Sequence, residues 1–145
     1  MESKLDEFIC DNFEKMIVYG GVSIKEVEYI EETLNVKLEN EYKSFLMKYG
    51  TIIGFGFDVL GCSKNDFPVI EETLFFRKKG LEDCYIVIRD VGEYIFCLNV
   101  DTGYISNWDA IDPSHVIVSD SFYKYVVKEL VEAKEDWEDD EEDCE

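Results

Sequence analysis

Residues 34–50, "LNVKLENEYKSFLMKYG", change their hydrophobic period part-way along, and that change decides how the chain is read. Leu34, Val36 and Leu38 alternate with Asn35, Lys37 and Glu39, the pattern of an extended segment with one apolar face. Beyond Asn40 the spacing turns helical, because Tyr42, Phe45, Leu46 and Tyr49 fall at i, i+3, i+4 and i+7. Gly50 then stands where a left-handed cap is expected, a conformation that glycine adopts without a side-chain penalty. The stretch contains no nucleophile beside a base and no metal cluster, so it reads as a folding element.

On its N-terminal side, Leu5, Phe8, Ile9 and Phe13 keep helical spacing, and Gly20 and Gly21 mark a turn. Ser23 and Glu26 form a capping-box pair that opens a helix with Ile24, Val27, Ile30 and Leu34 on one face. On its C-terminal side, "TIIGFGFDVLGC" predicts one or two strands, joined or kinked near Gly54 and Gly56, with Ile53, Phe55, Phe57 and Val59 on one side. "FPVIEETLFFRKKG" predicts a helix with Pro68 in its first turn and basic residues near Gly80.

Three β-branched and aromatic runs follow, "CYIVIRD", "EYIFCLNV" and "YISNWD", separated by the turn signals "VG" and "DTG". They predict an antiparallel meander. Asp120 or Ser121 can cap a last helix with Phe122, Val126, Leu130, Ala133 and Trp137 along one side. Strands joined by hairpins rather than crossovers predict an α+β domain: an antiparallel or mixed sheet with helices packed on it. The single domain is expected over residues 1–134, followed by a disordered acidic tail over 135–145.

Charge narrows the function. The chain carries 34 acidic and 14 basic residues, a formal net charge of −20. Residues 135–145 hold nine of the acids and no base, which still leaves the first 134 residues at −11. A body of this sign repels phosphate backbones and anionic lipid, and it attracts a basic partner. Five cysteines, at 10, 62, 84, 97 and 144, include no Cys-x-x-Cys pair and suggest reduced thiols in a cytoplasmic compartment. The N-terminus lacks the basic and apolar regions of a signal peptide, and no apolar run approaches the ~20 residues of a membrane span.

The candidate chemistry is sparse. His115, the only histidine, sits in "PSHVIVSD" without an elbow or triad context, and reads as a loop histidine before a strand. Carboxylate pairs such as Glu71 with Glu72 and Asp139 with Asp140 arise by chance among 34 acids. "DWEDDEEDCE" lacks the glycine-centred spacing of a calcium loop, and "GFGFDVLG" opens no helix as a phosphate loop would. Trp108 reads equally as an aromatic anchor among acids or as a core residue ending a strand. Together with Asp101, Asp109 and Asp112, at turns and strand ends of the meander, it makes up the candidate protein-contact set.

The order of "LNVKLENEYKSFLMKYG", "GFGFDVLG", "VIRDVGEYIFCLNVDTGYISNWD" and "SDSFYKYVVKEL" resembles the SUKH superfamily, the Smi/Knr-like domains, over roughly residues 20–132. The chain departs from that pattern at Leu38-Glu39, where the family commonly has Leu-Pro; glutamate in a first turn suits the helix dipole. The resemblance implies a non-enzymatic binding protein without a cofactor. Bacterial members are largely cytosolic immunity proteins against polymorphic toxins, many of them nucleases, and fungal relatives regulate cell-wall synthesis through protein contacts. The expected partner is a basic toxin domain, with a regulatory scaffold role as the alternative.

Overall fold

The structure is a computed structural model, and it describes residues 2–143. Its elements in chain order are α1 (Glu2–Asp11), a 3-10 turn (Phe13–Lys15), β1 (Met16–Val18), α2 (Ile24–Leu34), α3 (Asn40–Lys48), β2 (Ile52–Gly54), β3 (Phe57–Val59), α4 (Pro68–Arg77), β4 (Tyr85–Asp90), β5 (Ile95–Asn99), β6 (Ile105–Trp108), β7 (Val116–Ser119) and α5 (Phe122–Asp143). Two antiparallel sheets result, ordered β1-β2-β3 and β4-β5-β6-β7. This is the α+β architecture that the hairpin signals predict.

The 34–50 stretch folds as read in its second half and differently in its first. Tyr42, Phe45, Leu46 and Tyr49 are all buried, and Gly50 takes φ +73 beyond the end of α3. A side chain at Gly50 would also strike the Gly20 and Cys62 carbonyls. Leu34, however, is the last residue of α2, and Asn35 reverses the chain in the left-handed region at φ 54. The alternation at 34–38 therefore comes from a helix end followed by a loop, held where the Leu38 N–H donates to Glu31 Oε2 at 2.8 Å. Glu39, the residue that departs from Leu-Pro, is the N-cap of α3, its carboxylate accepting the N–H groups of Glu41 (2.9 Å) and Tyr42 (3.2 Å).

"TIIGFGFDVLGC" forms the β2–β3 hairpin across a two-residue turn in which Phe55 and Gly56 both have positive φ, 56 and 79. The reversal pairs Ile53 with Asp58, so Ile53 lies off the face that Phe57 and Val59 bury. A non-glycine residue at positive φ carries strain, and here the Phe55 ring is held edge-on between Phe8 (6.0 Å) and Trp137 (5.6 Å). That contact, with Lys15 Nζ 4.8 Å from the Trp137 ring, gives α5 something to pack on beyond residue 134. The helix runs through 135–143, within the stretch expected to be a disordered tail. Cys144 and Glu145 lie outside the described residues.

The four-stranded sheet separates two cores. Ile86, Ile88, Leu98 and Ile105 face a large cluster with α1, α2, α3 and α5, while Val87, Ile95, Cys97 and Trp108 face a smaller one with Leu81 and Phe76. Alternation along each strand produces both faces. Leu60 N–H donates to the Ile88 carbonyl at 2.7 Å and joins the two sheets. The strand read after His115 is β7, and it extends the three-stranded meander as a fourth strand.

Candidate protein-binding surface

Trp108 closes β6 opposite Ile95 and is 0% exposed. Its ring packs edge-on to Phe76 (6.3 Å, 90°) and near His115 (6.2 Å, 30°). The reading of Trp108 as a contact residue is therefore corrected: β6 register places it on the face opposite the large cluster, in the smaller core against Phe76. Its indole Nε1 has no hydrogen-bond partner among the described residues.

The three aspartates do not form one patch. Asp101 lies in the β5–β6 turn, where Asn99 Oδ1 accepts the N–H groups of Asp101 (2.9 Å) and Thr102 (3.2 Å). Asp109 and Asp112 lie beyond the opposite end of β6, separated from that turn by a strand about 13 Å long at ~3.4 Å per residue. Asp109 Oδ1 accepts the Ile111 N–H at 2.8 Å, which fixes the loop, and Asp112 is exposed.

Asp109 and Ile111 line a groove of about 350 Å³ between the end of α4, the β4–β5 turn and the loop after β6. Phe75, Phe76, Tyr94 and Trp108 supply its apolar wall, and Asp90, Glu93 and Asp109 supply three carboxylates against the one ammonium of Lys79. Ile111 is 93% exposed and Phe75 51%. Beside the groove, burial raises the Glu72 carboxyl above its ordinary range, helped by a hydrogen bond to Asp90. A second cavity of about 290 Å³, near Arg89, is lined by groups that engage one another: Arg89 lies 3.7 Å from Glu129 and stacks over Phe57 at 4.5 Å. Burial raises the Glu129 carboxyl in spite of Arg89.

From Ile111 the loop leads to β7, whose Val116 (61%), Ile117 (61%) and Val118 (43%) are exposed on both faces of the strand. The sequence reading places a strand after His115 but assigns its residues no contact role. His115 anchors the start of β7: Nε2 lies 2.7 Å from Glu82 Oε2 and Nδ1 2.7 Å from Ser106 Oγ. With Nε2–H directed at the carboxylate, Nδ1 accepts from the Ser106 hydroxyl. The imidazole also stacks on Tyr85 at 3.8 Å and 9°. Serine, histidine and acid thus meet, yet Ser106 is 2% exposed, so its hydroxyl faces the core rather than a substrate.

A family model described as SUKH_5, SMI1-KNR4 cell-wall, matches residues 3–131. The chain belongs to this SUKH family. The match includes α1 and β1, which precede the stretches that carried the resemblance in sequence. It also spans the groove and β7, placing both features inside the SUKH domain, while the distal part of α5 lies beyond it. No helix among the described residues is long and apolar enough to cross a membrane.

Proposed function

We propose that this SUKH-family chain is an immunity protein that binds one cognate toxin domain stoichiometrically and blocks its active site or substrate groove. The observation that carries the reading is the exposed apolar surface at Phe75, Ile111 and Val116–Val118, bordered by carboxylates on a chain of net charge −20. An apolar centre surrounded by charge is the arrangement of specific protein interfaces. A nuclease suits the acidic surface best, because its substrate groove is itself basic, and long-range attraction would speed encounter. In this reading the domain has no catalytic or cofactor chemistry of its own, and its charge disfavours nucleic acid and membrane surfaces. The four described cysteines are free, in keeping with a reducing cytoplasm.

The family's cell-wall description supports a second reading, a regulatory scaffold that binds several endogenous partners. Affinity capture of the tagged protein from its native cells, at low and high salt, separates the two. Immunity predicts one basic toxin domain in near-equimolar amount, released by salt. A set of endogenous wall or signalling proteins would establish the scaffold reading instead.

A further inference from the structure

The two edges of the β4–β7 sheet are treated differently. At β4, the Val87 N–H donates to the Thr73 hydroxyl (2.9 Å) and the Ile88 carbonyl accepts from Leu60 (2.7 Å), so the edge is covered by α4 and by the segment after β3. At β7, no backbone hydrogen bond among the described residues reaches Val116–Val118 from any element other than β6. The four-residue strand contains no charge and no proline, two of the devices that protect an open edge, and its pairing with β6 shifts register at Val118. It is nevertheless held in place. His115 clamps its start to Glu82 and Ser106, and at its end the Ser119 hydroxyl donates to the Ser121 carbonyl at 2.9 Å. An ordered, uncovered edge free of charge and proline is preorganised for strand addition.

We propose that β7 is a docking strand, to which an extended segment of a basic partner adds as a fifth strand of this sheet. The inference rests on the toxin-binding reading for the identity of that partner. Charge selects the occupant: Asp112 precedes the strand by four residues and Asp120 follows it directly, with Asp120 carrying only an exposed ion pair to Lys124 at 3.1 Å. A segment with a short apolar centre and lysine or arginine at each end would meet an acid at both. A second copy of β7 would bring the same acids against their like, between chains each at −20.

The test uses the full chain and a ten-residue peptide of alternating valine and threonine with two lysines at each end. Amide hydrogen exchange at residues 116–119 is followed by NMR. Slowing of the outward amides by at least tenfold, lost when alternate peptide nitrogens are methylated, supports the docking strand. Equal binding of the methylated peptide means charge adhesion alone and overturns it, as does unchanged exchange at millimolar peptide. Edge amides already protected in a dimer seen by sedimentation would assign the edge to a second copy and also overturn it.

Capture from native cells then distinguishes this inference from the reading beneath it. Ile117→Lys is expected to lose the toxin domain while Met47→Lys, an equal charge change on α3, retains it. Equal capture by Ile117→Lys would overturn the docking strand and leave immunity standing. Peptide binding at the edge with no toxin captured by the unaltered protein would overturn immunity and leave the docking strand standing.

Discussion

Trp108, which lines the groove, and Glu72, which neighbours its Asp90, make opposite demands on the fold. Trp108 fills the smaller core, so Trp108→Ala should cost about 3–5 kcal/mol, read as a lower urea midpoint. A cost below roughly 1 kcal/mol would show that the ring does not hold that core together. Glu72 is a carboxyl whose folded-state pKa is raised, chiefly by burial and then by Asp90. The fold thus favours its neutral form, and ionisation destabilises the protein as pH rises from its ordinary value of 4.5 through the raised one. The penalty persists at neutral pH. Glu72→Gln should raise Tm at pH 7 by about 1–3 °C and lose that advantage at pH 3, where the native carboxyl is already protonated. A variant no more stable than the native chain at pH 7 would remove Glu72 from the pH dependence.

Among the elements, the ends of α3 and α5 show how local and tertiary capping differ. Glu39 caps its own helix. Glu41, two residues on, accepts the Ser121 hydroxyl at 2.7 Å and the Tyr123 N–H at 3.1 Å, placing a carboxylate from α3 at the N-terminus of α5. A negative charge there offsets the helix dipole and satisfies an orphan N–H. Glu41→Ala should destabilise the fold by about 1–2 kcal/mol in urea unfolding, although the side chain contributes nothing to the core. An unchanged midpoint would reduce this contact to an incidental one. The Ser121 hydroxyl stands 3.4 Å from the Lys124 N–H, a weaker cap than the one α3 supplies.

For the molecule as a whole, charge should govern the rate of encounter with a partner more than the lifetime of the complex. Asp109 lines the groove and Asp112 follows it in the loop that leads into β7, whereas Asp101 is at the other end of β6. Replacing Asp109 and Asp112 with asparagine should slow association with the captured toxin domain by about threefold to tenfold at low salt, with little change in dissociation. Asp101→Asn should have a smaller effect. Equal slowing by both would mean that net charge, rather than the groove side, steers the encounter, a comparison that surface plasmon resonance at two salt concentrations makes directly.

Sequence alone determined the features set by neighbouring residues. The Tyr42–Tyr49 stripe, the Ser23–Glu26 capping box, Pro68 at the start of α4 and the glycine at position 50 are all local, because helix period and φ preference act within a few residues. The hairpin-linked strands and hence the α+β class were legible for the same reason. Only the tertiary structure decided where Trp108 points, since a register set by pairing with Ile95 determines which face of the sheet it joins. It also decided that Asp101 stands apart from Asp109 and Asp112, and that Glu41 reaches α5. Above all, it left β7 uncovered. The same run "VIV" would be an interior strand if another strand paired beyond it, and whether one does depends on the sheet's order rather than on those three residues.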